Sequence, residues 1–256
     1  MVREFKENEI FSQLKVPPSM PFFVRVDGKG FHKLLEKIGF KKPFDKRFQK
    51  IMVSSVKTVF YTGYDPCLAY IFSDEANILF IETNIFNRRV EKIDSTIAGY
   101  ISSAFTLNLV KNGIVSICSF DARIIPVKIN DVRNYLIWRQ MENWRNCINA
   151  YAQHALRLKG YSGAKLDEIL RGMKSKDLHE LVYRELGINL AKIPGWQRRG
   201  IILYWKYYIK KGYNPAKKVI EKTLRRKLVE EWCPPLFGSP EGERFLKEIL
   251  NPPRIE

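Results

Sequence analysis

The stretch Phe22-Phe23-Val24-Arg25-Val26-Asp27-Gly28-Lys29-Gly30-Phe31-His32 decides how this chain reads. Phe22 to Val26 is apolar or β-branched apart from Arg25, which predicts a buried strand. Asp27-Gly28 ends that strand. Phe31, Leu34, Leu35 and Ile38 then share one face of a helix that starts at Gly30. A second stretch completes the pattern: Leu68 to Phe72 and Ala76 to Phe80 read as hairpin arms, with Ser73-Asp74-Glu75 at the turn. If the two strands pair, Asp27 and Asp74 meet at one edge of a sheet. Two carboxylates at strand ends, beside a glycine whose carbonyl is unshielded, suit a hard divalent cation such as Mg²⁺. Free backbone N–H groups at the helix start suit a triphosphate. Asp-Gly is also a common turn and Ser-Asp-Glu an ordinary hairpin tip, so a solvated turn stays open on local pattern alone.

Working outward, Lys41-Lys42-Pro43-Phe44-Asp45 is a basic turn whose Asp45 caps a helix running to about Tyr61. Residues 4 to 15 read as a short helix before the Val16-Pro17-Pro18 break. Phe86 to Val110 reads as a long amphipathic helix, and Ile117 to Val127 as a further strand. The order strand, helix, strand, strand, helix, strand predicts an α+β fold. Its core is the ferredoxin-like βαββαβ unit, an antiparallel sheet with helices on one face. Polymerase-type palm domains share that core, a likeness of fold alone. Asn130-Asp131 caps a long helix from Val132 to Leu158, followed by shorter ones near 165–170, 176–186 and 241–250. Arg139-Gln140 reads from spacing as a solvated helix face, and His154 and His179 as structural. Residues 1–128 are therefore expected to form the palm-like catalytic core. Residues 129–256 are expected to form a helical and basic region packed on it and contacting nucleic acid.

Net charge is +17, from 44 basic and 27 acidic side chains, which points to a polyanionic partner, nucleic acid first. Apolar residues make up 45%, enough for a packed core. No apolar run reaches the ~18 residues that span a bilayer, and the N-terminus has no signal-peptide core. Cys67, Cys118, Cys147 and Cys233 are scattered, which indicates neither a zinc site nor a disulfide frame and fits a reducing cytoplasm. Between Ala191 and Glu231 lie twelve Lys or Arg against three Glu, interleaved with Trp196, Tyr204, Trp205, Tyr207, Tyr208 and Tyr213. Basic groups neutralise phosphates and exposed rings stack on unpaired bases. The alternation in Ile201 to Trp205 also packs a strand, so rings are expected inward and charges outward.

In order along the chain, the residues resemble the tRNA-histidine guanylyltransferase family, including its guanylyltransferase-like tRNA 5′-end repair members. The likeness is carried by Arg25-Val26-Asp27-Gly28-Lys29-Gly30-Phe31-His32, then Lys42-Pro43-Phe44-Asp45, Ser73-Asp74-Glu75 and Phe120-Asp121-Ala122-Arg123. It continues through Tyr135-Leu136-Ile137-Trp138-Arg139-Gln140, Leu170-Arg171-Gly172 and Pro194-Gly195-Trp196-Gln197-Arg198-Arg199-Gly200. The resemblance implies a palm-like core that grows nucleic acid in the 3′–5′ direction at the 5′ end of tRNA. It implies two Mg²⁺ ions held by Asp27, Asp74 and the Gly28 carbonyl, with ATP and GTP or another NTP as substrates. Asp27, Gly28, Lys29, Gly30, Phe31, His32, Ser73 and Asp74 would contact the triphosphate nucleotide, and Lys42 and Asp45 the activating one. Arg139, Asn146, Arg198 and Arg199 would meet tRNA. Family members are typically tetramers.

Members that read tRNA-histidine carry a His-Ile-Asn-Asn-Leu-Tyr-Asn run, whereas this chain has Trp144-Arg145-Asn146-Cys147-Ile148-Asn149-Ala150. Leu178 also stands where eukaryotic members have a Lys. The expected function is therefore Mg²⁺-dependent, template-dependent 3′–5′ addition of nucleotides to 5′-truncated tRNA. The alternative is addition of G at position −1 of tRNA-histidine. A third reading is a non-catalytic tRNA-binding protein on the same fold; retention of both Asp27 and Asp74 argues against it.

Overall fold

A computed structural model describes residues 8–214 and 218–253, without the side chains of His32, Lys33, Lys37 and Asn214. β1 (Phe22–Gly28) is followed by α1 (Phe31–Ile38), α2 (Lys46–Phe60), β2 (Leu68–Phe72), β3 (Glu75–Phe80), α3 (Val90–Lys111) and β4 (Phe120–Pro126). The four strands are antiparallel in the order β4-β1-β3-β2. That is the expected βαββαβ arrangement.

Side chains alternate across the sheet, so each strand feeds two cores. Val24, Val26, Ile71 and Ile78 pack against Met52, Val56, Ile97, Ile101 and Phe105 of α2 and α3. The other face is covered by the C-terminal half. There Phe23, Leu68, Tyr70 and Leu79 meet α4 (Val132–Leu158) and α8 (Pro240–Leu250) through Tyr135, Leu136 and Leu246. A third core joins α4 to α5 (Gly163–Leu170) and α6 (Ser175–Leu186). This two-sided burial explains why β2 reads as an unbroken apolar run, since all five of its residues are buried.

After the short α7 (Gly195–Arg199), β5 (Ile201–Asn214) adds to β2 over Ile201 to Tyr204 only. It pairs with β6 (Val219–Glu231) from Ile202 to Asn214, so past Tyr204 a long two-stranded arm leaves the sheet. Rings on this arm divide. Trp205 packs on Phe60 and Tyr204 on Phe245, whereas Tyr208 and Tyr213 are 44% and 64% exposed. The inward expectation holds only where the arm still lies on the body.

Two further expectations shift. The helix expected over residues 4–15 lies partly outside the described residues, and residues 10–13 form a turn. The long helix starts at Val90 rather than Phe86, because Phe86, Asn87 and Arg88 take φ of 49°, 52° and 60°. The buried Arg88 guanidinium holds that left-handed run by donating to the carbonyls of Val16, Met20 and Thr83.

Candidate active site

In β1, Asp27 stands directly opposite Glu75 of β3 and Asp121 of β4. Ser73 and Asp74 form the tight turn between β2 and β3. Ser73 has φ 49°, a region non-glycine residues seldom enter, and Gln49 of α2 donates to its carbonyl at 3.5 Å. The hairpin tip is thus held from below while Asp74 is turned toward β1. Burial pushes the Asp74 carboxyl up to about 6, and the nearby Asp27 charge adds to it. Asp27 is raised too, by burial first and then by Glu75 and Asp121. Asp27 thus stands among carboxylates that raise it, against the weaker opposing pull of Arg123 and Arg25, and its own charge in turn raises Asp74.

Gly28 follows β1 into a tight corner. A Cβ there would lie 2.4 Å from the Phe31 ring, so glycine is required for this approach. Lys29 donates its N–H to Ser119, and Gly30, at φ 69°, leads into α1 with no side-chain cap on the helix. His32 lies in the first turn of α1, and its side chain is outside the described residues. Phe31 drops inward onto Phe48, Phe105 and Phe120, which ties this corner to the core.

A cavity of about 430 Å³ opens over Asp27 and Asp74. Its lining joins Asp27, Phe31, Lys42, Ser73 and Asp74 with Asn146 on α4. The site residues read from the sequence are therefore partly gathered in one place. Asp45 faces a smaller cleft that shares Lys42 and Ser73 with the larger one. Its carboxylate caps α2, accepting from the backbone N–H groups of Lys41 and Arg47 and from the Arg47 side chain. Burial would raise the Asp45 carboxyl, but the Arg47 side chain and these backbone donors outweigh it and hold it at about 2.

Asp45→Ala is accordingly expected to lower stability by about 1 kcal/mol through the lost cap. The carboxyl lies below its ordinary 3.8, so its contribution is complete above about pH 4 and fades as pH falls toward 2. Wild type and variant should converge in urea unfolding at the acid end. A gap that stays constant from pH 6 to the acid end would refute this.

The remaining expected residues lie elsewhere. Arg139 is turned inward: it donates from Nε and Nη2 to the two oxygens of Glu75, at 2.9 and 2.7 Å. Arg198 and Arg199 donate to the carbonyls of Ile193 and Pro234 and line a separate groove with Ile137, Met141 and Trp144. Other cavity residues were given no role: Phe44, Ala150, Gln153 and Arg157. A signal for them exists, since Asn146, Ala150, Gln153 and Arg157 recur at helical spacing along one side of α4. His154, read as structural, forms part of the cavity wall. Lys42 is lowered by burial and, further, by Arg157, against the opposing pull of Glu36. The cavity thus has an acidic end at the sheet edge and a basic end at Lys42 and Arg157.

A family model described as tRNAHis guanylyltransferase matches residues 2–128, and its companion for the C-terminal domain matches residues 130–231. A tRNA(His) guanylyltransferase of Schizosaccharomyces pombe is 31% identical over 228 residues, 84% of this chain and 87% of that protein. The chain belongs to the tRNAHis guanylyltransferase family. This family member is a nucleotidyltransferase. The corresponding protein of Debaryomyces hansenii is 32% identical, covering 87% of this chain and 89% of its own. Solved structures share the fold. A bacterial Thg1-like protein in complex with ATP superimposes with TM-score 0.74 at 23% identity, covering 96% of this chain and 97% of its own. The Saccharomyces cerevisiae tRNA(His) guanylyltransferase gives 0.68 at 24%, covering 78% and 92%. These confirm the α+β palm-like architecture expected of this family member.

Proposed function

We propose that this family member adds a nucleotide to the 5′ end of tRNA, with GTP as the incoming nucleotide and tRNA-histidine as substrate. The relatives' shared name supports that substrate. The observation that carries the reading is the cavity uniting Asp27 and Asp74 with Lys42 and the polar side of α4. In the first step a 5′-phosphate oxygen of the RNA attacks the α-phosphorus of ATP and pyrophosphate leaves. In the second the 3′-hydroxyl of GTP attacks the activated 5′-phosphorus and AMP leaves. Both are in-line displacements at phosphorus, so charge placement does most of the work. Lys42, at the basic end, offsets phosphate charge, and the uncapped start of α1 offers N–H donors.

The donor set suits Mg²⁺. Among the described residues no group of three or more His, Cys, Asp or Glu gathers for a metal. Two carboxylates and the Gly28 carbonyl match an ion that keeps waters and phosphate oxygens as its other ligands. Asp27, Asp74 and Gly28 would hold two such ions, which when bound supply charge to the attacking and leaving oxygens.

A second reading, template-dependent repair of 5′-truncated tRNAs, is favoured by one observation. The Trp144 ring, standing where tRNA-histidine readers carry His, packs edge-on against His179 at 5.5 Å. We further propose a homotetramer in the cytoplasm. Val115 and Ile117, 90% and 91% exposed beside the open edge strand β4, support association. Among the described residues no helix is long and apolar enough to cross a membrane.

The test offers tRNA-histidine and a series of 5′-truncated tRNAs with varied 3′ partners, each with every NTP and Mg²⁺. Addition of G to tRNA-histidine whatever the opposing base supports the first reading. Product that follows Watson–Crick pairing on all tRNAs supports the second. No transfer to any of them overturns both.

A further inference from the structure

The Arg139–Glu75 fork is part of a longer buried polar chain. Tyr135 donates its hydroxyl to Asn77 Oδ1 at 2.5 Å, and Asn77 Nδ2 donates to Glu75 Oε1 at 2.7 Å. Arg139 forks onto both oxygens of the same carboxylate. The chain is dry. Asn77 is fully buried, and the Arg139 residue is 9% exposed, with its guanidinium 4.6 Å from the Trp138 ring centre. Beside it, Asn143 donates to the hydroxyl of the buried Tyr70. Asn77 of β3 and Arg139 of α4 thus both donate to Glu75, with Tyr135 of α4 behind Asn77, and Glu75 directly follows Asp74 and pairs with Asp27.

We propose that Arg139 is a positioning residue that acts through Glu75 on the Asp27–Asp74 pair. Its fork binds the second carboxylate of the hairpin tip, Glu75, into the body, leaving Asp27 and Asp74 to hold the cation. A planar guanidinium fixes both oxygens at once, so Glu75 is held in one rotamer and the backbone at Asp74 with it. Without Arg139, Glu75 keeps the Asn77 donor but loses its ion-pair partner, and its charge beside Asp27 is left less compensated. Outer partners of this kind typically tune metal affinity by about 10–100-fold.

The proposal rests on the cation reading above, and its test separates the two. Mn²⁺, a paramagnetic stand-in, is titrated into the full chain without RNA or nucleotide, and free Mn²⁺ is read by electron paramagnetic resonance. Arg139→Met is expected to weaken Mn²⁺ binding by about 10–100-fold and to lower kcat for GTP incorporation by a similar factor, with KM for tRNA unchanged. Adding Glu75→Gln in that background removes the stranded charge and should recover part of the affinity. Arg139→Lys keeps the charge but cannot span both oxygens, so it should fall between the two. That variant also serves should Arg139→Met fail to fold. Wild-type Mn²⁺ affinity in both Arg139 variants would overturn the proposal, as would lost tRNA affinity with Mn²⁺ binding intact. Wild-type chain that binds Mn²⁺ yet transfers no nucleotide would overturn the proposed reaction alone. Wild-type chain that binds no Mn²⁺ would overturn both.

Discussion

Incorporation of labelled GTP should fall by about 10³-fold or more when Asp27 or Asp74 is replaced by Ala. That is the rate lost with several kcal/mol of transition-state charge stabilisation. The fold should survive, and for Asp74→Asn it should gain. Asp74 is raised to about 6, so at neutral pH its ionised form opposes folding. The stability it lends is complete below its ordinary 3.8 and is lost as pH rises through about 6. Asp74→Asn should remove that dependence. Urea unfolding in chelator should then show a variant flatter across this window and more stable than wild type above it. Activity lost and stability gained in one substitution is the mark of a site strained for function. Unchanged GTP incorporation in Asp27→Ala or Asp74→Ala would refute the site.

Phe105→Ala should destabilise the chain by about 3–5 kcal/mol, the usual cost of emptying a fully buried aromatic site. Phe105 is completely buried on α3, with ring centres 5.2 Å from Phe31, 5.8 Å from Phe48 and 5.5 Å from Phe120. Those three rings come from α1, α2 and β4, so one residue ties together the elements around the Asp27 corner. Phe31 also closes against Gly28, so the cavity left behind sits under the proposed nucleotide site. Denaturant unfolding measures the loss. A change under about 1 kcal/mol would mean that the cluster refills by moving Phe31, and the corner would then no longer be rigid.

Much of the fold was legible because its signals are local. Phe22 to Val24 is apolar at consecutive positions, as a strand buried on both faces must be. The Val132–Leu158 helix was readable end to end, with Asp131 before it and apolar residues recurring along its length, although Arg139, Gln140 and Asn143 are buried among them. The Asp27 and Asp74 convergence was legible for the same reason: each acid ends a strand whose pairing partner is set by pattern. Arg88 was not legible. Its positive φ depends on carbonyls contributed by Val16 and Met20, far from it in the chain.

By themselves the residues determined the βαββαβ order, the capping of α2 by Asp45, the two strand-end aspartates and the family likeness. Hydrophobic period, turn residues and short motifs are properties of neighbouring positions, and they survive any packing. Only the tertiary structure decided what lies along α4. Its polar residues look alike in sequence, yet Arg139 is drawn onto Glu75 while Asn146, Gln153, His154 and Arg157 face the cavity. The difference arises because one part of the helix lies across the sheet and the next passes beyond its edge. A side chain's role there is set by what the rest of the fold brings opposite it, and no window of sequence contains that.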